Sequence, residues 1–172
     1  MRAAVVRRQT PPPSAFLPDL RSFPYWDSYE APLDRGDLAM HDLYLALFAH
    51  HPPWANGLLR LRDTIVRPLG LKPAMPRDSR PIEIKSAYRP GDLIGRFVLF
   101  AQNDSELVAG ADDRHLDFRV AVHKLADPAR VVLSTVVRPH NRLGRTYLSA
   151  ILPFHRFGIR MLLANAVTAG RL

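Results

Sequence analysis

Residues 115–125, HLDFRVAVHKL, alternate without a slip as far as His123. Leu116, Phe118, Val120 and Val122 take one parity, and His115, Asp117, Arg119, Ala121 and His123 take the other. Successive side chains of a strand point to opposite faces, so this period of two specifies a strand with one dry and one polar face. The dry face needs a packing partner, and the polar face is expected to look into water. The same signature recurs on both sides. LIGRFVLFAQ (93–102), ELVAGA (106–111) and ARVVLSTVVRP (129–139) are strand candidates, and IEIKSAY (82–88) precedes them. The breaks RPGD, NDS, DD and ADPA are short and turn-forming. Connections this short join antiparallel neighbours, so the centre of the chain is expected to be a meander.

The periodicity changes at both ends. NRLGRTYLSAILPFHRFGIRMLLANAVTA (141–169) reads as one long helix, with Asn141 as its N-cap and Pro153 as a kink that frees a carbonyl one turn upstream. Leu143, Tyr147, Ile151, Phe154, Met161 and Leu162 fall on a broad apolar arc, and Arg142, Arg145, Ser149, Arg156 and Arg160 share the opposite stripe. A helix this apolar must be covered, and the meander is the surface wide enough to cover it. Upstream, GDLAMHDLYLALFAHH (36–51) repeats apolar residues at helical spacing, with Asp37 as the expected N-cap. In PPWANGLLRLRDTIVRPLGL (52–71), Trp54, Leu58, Leu61, Ile65 and Leu69 form a second helical stripe that Pro68 and Gly70 bring to an end. LKPAMPRDSRP (71–81) is a loop. YWDSYEAPL (25–33) suits a first strand, and the proline-rich residues 1–24 suit an irregular arm.

Composition narrows the function classes. The chain has 172 residues, 47% hydrophobic and 23% charged, which suits a single globular domain over residues 25–172 with the arm before it. Cysteine is absent, which excludes disulfides, thiolate metal sites and cysteine nucleophiles. The net charge of +8 rests on arginines scattered through every segment, with no lysine-rich tract and no interleaved stacking aromatics. Nucleic acid is therefore not the expected partner. No uncharged apolar run is long enough to span a bilayer, and the N-terminus lacks a leader pattern, so cytoplasmic residence is the expectation. No Gly-x-Gly-x-x-Gly follows a strand, and no P-loop, Gly-x-Ser-x-Gly elbow or His-Glu-x-x-His is present.

Two places could carry chemistry. On the polar parity of 115–125, His115 and Asp117 could act as an acid/base pair, with Arg119 beside them, if the sheet turned that face toward a cavity. His-x-Asp could also present two metal ligands, but no third is nominated and no metal is expected. The plain alternative is a wet outer face with cross-strand partners. The second place is His155, which lies within the apolar arc of the last helix. A buried imidazole needs a partner, and a backbone carbonyl, such as one freed by Pro153, would serve. The functional alternative is a polar anchor among Tyr147, Ile151, Phe154, Trp54 and Phe118, with the imidazole also suited to proton transfer.

The order strand, short helices, antiparallel strands and long C-terminal helix resembles the START-like (SRPBCC) helix-grip folds. More narrowly, PPWANGLLRLRDTIVRPLGL, DDRHLDFRVAV and RPHNRLGRTYLSAILPFHRFGIRMLL resemble an uncharacterised bacterial family, domain of unknown function 2867, over residues 25 to 168. The last of these motifs is the most specific, and the arm lies outside. Related segments also occur at the C-terminal end of some NAD(P)-binding epimerase-like proteins, but this chain has no nucleotide-binding half to match them. The resemblance implies an α+β scaffold in which a curved antiparallel sheet wraps a long C-terminal helix, with two short helices toward the N-terminal side. It implies no reaction. The expected function is a non-catalytic module holding a small apolar or amphipathic molecule between sheet and helix, with no cofactor. The competing classes are a cofactor-free cyclase, dehydratase or isomerase using His155 or the His115/Asp117 pair, and a structural partner with no ligand. Oligomeric state is not readable.

Overall fold

The structure, a computed structural model, describes residues 5–50 and 85–172. Its elements in chain order are β1 (Val6–Arg7), a 3-10 turn (Leu20–Ser22), β2 (Tyr25–Pro32), α1 (Met40–Phe48), β3 (Leu93–Ile94), β4 (Phe97–Gln102), β5 (Glu106–Asp112), β6 (Leu116–Leu125), β7 (Arg130–Pro139) and α2 (Arg142–Thr168). The described strands form one curved antiparallel sheet in the order β1-β2-β7-β6-β5-β4-β3. The class is α+β, with the sheet packed against the long C-terminal helix, as the alternation at 115–125 requires. The helix expected around Trp54, the loop 71–81 and residues 82–84 lie outside the described residues. Lys85–Tyr88, the rest of the first expected strand of the meander, is not a strand.

The meander follows the expected strands with one division. LIGRFVLFAQ splits at Gly95, whose φ of +62° opens a two-residue turn between Ile94 and Phe97. A positive φ at the first position of such a turn is what glycine supplies without strain. β7 lies between β2 and β6 and reads as a nearly continuous apolar run, because both of its faces are covered. Val131 and Leu133 join Tyr29, Ala31, Val120, Val122, Leu107, Ala109 and Leu99 in the core beneath the helices. Leu43, Tyr44 and Leu47 of α1 and Ile159, Leu163 and Ala166 of α2 close that core from above. Among the described residues no helix is long and apolar enough to cross a membrane.

Three local expectations need correction. First, α1 is capped by Ala39, without a side-chain bond, and not by Asp37. Lys124 Nζ donates to the carbonyls of Gly36 and Leu38, so the chain at Asp37 is still tied to β6 and turns into a helix only afterwards.

Second, α2 has the expected cap, with Asn141 Oδ1 accepting from Gly144 N at 2.9 Å, but its buried stripe is turned. The buried residues are Gly144, Ile159, Leu163 and Ala166, one position and so about 100° from the apolar arc read in the sequence. Gly144 sets that rotation. A Cβ there would stand 2.1 Å from the carbonyl oxygen of His115, so only glycine lets the first turn rest on the start of β6. Pro153 lies inside the continuous helix.

Third, the polar parity of β6 is not wet throughout. His115 and His123 are buried, as are Glu106, Ser28 and Ser134 on the same side of the sheet. The N-terminal arm accounts for much of this. It starts as β1 at the edge of β2, and its Ser14 hydroxyl and Ala15 N–H both donate to the Glu106 carboxylate of β5. Pro11, Pro12 and Leu20 of the arm are themselves buried.

Candidate functional site

Tyr25, Asp27, Tyr29 and Ala31 share one parity of β2, and Tyr29 and Ala31 belong to the core under the helices. Parity therefore carries Asp27 inside with them, and it is 1% exposed. It pairs across the ladder with Thr135 of β7, which pairs with Val120 of β6. A carboxylate in that row needs donors, since burying one unpaired costs on the order of several kcal/mol. Two are present. The Tyr25 hydroxyl donates to Asp27 Oδ2 at 2.5 Å. His155 Nε2, coming from α2, lies 3.2 Å from Oδ2 and 3.4 Å from Oδ1.

A carboxylate only accepts, so His155 turns its Nε2 proton toward Asp27 and keeps Nδ1 as the other working nitrogen. The rings of Tyr25 and His155 meet edge to face at 6.3 Å. Arg156, the next residue of α2, sets its guanidinium 6.0 Å from the centre of the Tyr25 ring, and the neighbouring Tyr25 oxygen raises it above its ordinary value. Burial first, and then the bond to Asp27, push the Tyr25 hydroxyl well above the usual tyrosine range despite Arg156. The result is a chain of three polar groups, Tyr25, Asp27 and His155, with Arg156 beside it. Thr135 stands beside it, 4% exposed, with an Oγ1 that has no hydrogen-bond partner among the described residues.

The residues singled out in the sequence are placed as follows. His155 has a side chain 23% exposed, and its partner is a carboxylate, not the backbone carbonyl expected. Ile151 and Tyr147 are half-buried, about one and two turns before it on the same helix. Phe118 is half-buried on the helix-facing parity of β6 and meets Phe97 edge to face at 5.0 Å. Phe154 is 55% exposed and lies off the sheet-facing stripe. Trp54 lies outside the described residues.

His115, Asp117 and Arg119 go to separate partners. His115 Nε2 accepts from Arg114 Nε at 2.8 Å, and its Nδ1 faces the Asn141 amide that caps α2. Asp117 pairs with His140 at 2.9 Å. Arg119 pairs with Asp112 at 2.6 Å and stacks 3.7 Å over the Phe100 ring. His115 thus belongs to the helix cap, and no contact joins it to Asp117 among the described residues. Nor do the described residues hold any group of three His, Cys, Asp or Glu able to bind a metal. Asp27, Tyr25 and Thr135 escape a reading based on motif density. Their signal is positional: an aspartate on the parity of Tyr29 and Ala31 has to be inside.

Two clefts open on the surface. One of about 360 Å³, lined by Arg7, Tyr29, Pro153, Arg156, Phe157 and Arg160, runs along the flank of α2 beside the β1–β2 edge. The other, of about 450 Å³, lies where the approach to α1, residues 37–41, faces the β4–β5 turn at 102–104 and Lys124. His155 lines neither.

Comparison with known proteins gives one match. The family described as protein of unknown function (DUF2867) matches residues 20–162. No curated protein and no solved structure matches.

Proposed function

The chain belongs to the DUF2867 family, and from that premise and its own geometry we propose a binding domain of the START-like helix-grip type. It holds a small apolar or amphipathic molecule between the sheet and α2, with His155 as the polar anchor. One observation carries the reading. A cluster of Asp27, Tyr25, Thr135 and His155 sits in an interface otherwise built from apolar side chains. Such a cluster is weak as a source of stability, because well-packed apolar residues of similar volume do as well or better. It suits the few placed polar groups that fix a ligand's orientation in an apolar site. The Thr135 hydroxyl, buried directly opposite Asp27 without a partner among the described residues, adds a group ready to bond a ligand.

Native mass spectrometry of the gently purified full chain tests this. The expected result is a reproducible non-covalent adduct of small-molecule mass that is lost in His155→Ala and weakened in Thr135→Val. Adduct-free wild type, with no thermal shift against a library of amphipathic small molecules, would overturn it.

A second reading is a cofactor-free enzyme of the cyclase, dehydratase or isomerase kind. The observation favouring it is that a buried carboxylate orients an imidazole that keeps 23% of its side chain exposed. That is how a general base is held in one tautomer. The dispersal of His115 and Asp117 to separate partners leaves His155 as the acid/base candidate. Turnover of a co-purified molecule, abolished by His155→Gln and slowed by Asp27→Asn, would select this reading over simple binding.

A further inference from the structure

From the cleft between β1 and α2 we infer a binding site for the oxyanion, carboxylate or phosphate, of a small molecule with a flat apolar body. Apart from Arg156, which also lies beside Tyr25, it stands on observations separate from the His155 anchor: the residues concerned lie on a different flank of α2, at positions 153, 156, 157 and 160. Three of the six lining side chains are arginines, Arg7, Arg156 and Arg160, and none is acidic. Guanidinium groups present planar donor forks that match carboxylate and phosphate oxygens.

Neighbouring residues sharpen the contrast. Arg8, next to Arg7 in sequence, pairs with Glu30, and Arg130 reaches the same carboxylate. Arg7 and Arg160 have no ion pair among the described residues. The three cleft arginines converge on Tyr29, whose hydroxyl feels all of them, although burial and Asp27 leave it raised overall. Arg156 lies beside the Tyr25 ring, 6.0 Å from its centre.

The apolar half of the site is Phe157 with Pro153. Phe157, 55% exposed, lines the cleft beside the guanidinium groups and with Pro153 supplies its apolar wall. The volume of about 360 Å³ is at the small end of ligand pockets and suits a molecule of one or two rings. A concave cleft of this size favours a discrete anion over a membrane surface.

The test uses phenyl phosphate, inorganic phosphate and phenol as probes on the full chain, followed by calorimetry and by the arginine Nε–H signals in NMR. Phenyl phosphate is expected to bind saturably and more tightly than inorganic phosphate, and phenol not to bind. Arg7→Ala and Arg160→Ala should each weaken phenyl phosphate about tenfold. Arg160→Lys should recover only part of the loss, because an ammonium lacks the fork. Phe157→Ala should weaken phenyl phosphate and leave inorganic phosphate unchanged. Each arginine is exposed, so folding is expected to survive, and an unchanged melting temperature checks it. Absence of saturable binding, or equal affinity in Arg7→Ala, Arg160→Ala and wild type, overturns the inference. Binding only to phosphatidylglycerol vesicles, with none to phenyl phosphate, overturns it in favour of a lipid surface.

Discussion

The His155 imidazole meets the Asp27 carboxylate at 3.2 Å, across 128 residues of chain and from opposite layers of the fold. It is a polar tie between α2 and β2, and Asp27 is the member with no access to water. Removing Asp27 leaves a tyrosine hydroxyl and an imidazole without their acceptor. Asp27→Ala should therefore cost about 2–3 kcal/mol in urea unfolding. His155→Ala should cost less, about 1–2 kcal/mol, because Tyr25 still serves the carboxylate. The double variant should fall short of the sum, since both substitutions remove one shared contact. Strict additivity would show that the two groups do not act together.

Tyrosine ionisation supplies a separate signature. The folded-state value of Tyr25 is raised by burial and by its bond to Asp27, and that of Tyr44 by burial alone. A group raised on folding contributes stability that is fully present below its unfolded value, about 10 for tyrosine. That stability is lost as pH climbs toward the folded value. Urea stability should thus decline above about pH 10. Tyr44→Phe should flatten part of the decline. It should also raise stability near neutral pH by about 1 kcal/mol, because the Tyr44 hydroxyl is buried without a partner among the described residues. A loss of stability in Tyr44→Phe would mean that the hydroxyl has a partner after all.

These sites were unequally legible in the sequence. The strand at 115–125 declares its faces by parity, and Asn141 declares the start of α2 by residue type, so the scaffold could be read. The rotation of α2 could not. Its apolar residues cover so broad an arc that hydrophobicity alone does not say which part meets the sheet. The answer depends on Gly144 resting against the His115 carbonyl, a contact between segments with no sequence signal of its own. Phe154 therefore looked like a core residue and is exposed. The dryness of the outer face was hidden for a similar reason. An arm that reads as irregular still covers a sheet when its prolines pack and Ser14 finds Glu106.

The glycine contact yields a prediction with its own control. Gly144→Ala places a methyl group 2.1 Å from a backbone oxygen, which side-chain rotation cannot relieve. It should destabilise the fold by about 1–3 kcal/mol. Gly158 lies in the same helix with nothing within 4 Å of its added Cβ. Gly158→Ala should stabilise by about 0.5–1 kcal/mol, because glycine pays more backbone entropy in a helix than alanine. Thermal melts of the two variants should move in opposite directions. Movement in the same direction would show that α2 does not sit on β6 at this depth.

The arm adds an acid-sensitive element on the opposite face. Glu106 accepts from the Ser14 hydroxyl and, at 2.7 Å, from the Ala15 N–H, and His123 Nε2 lies 3.3 Å away. Burial raises the Glu106 carboxyl, but the contacts from His123, Ser14 and Ala15 outweigh burial and leave it below the ordinary value. A carboxyl depressed on folding contributes stability that is present above its unfolded value, about 4.3, and lost as pH falls through the folded one. The arm should therefore loosen only as pH falls below that ordinary value. Glu106→Gln removes that titration and weakens both arm contacts at every pH. Two measurements separate the effects. Hydrogen exchange of the Ala15 amide should be slow at neutral pH in the native chain and fast in Glu106→Gln. The slope of stability against pH between about 3 and 5 should be shallower in the variant. If Ala15 exchanges equally fast in both proteins, Glu106 does not hold the arm, and the dryness of the outer face has to come from the packing of Pro11, Pro12 and Leu20 alone.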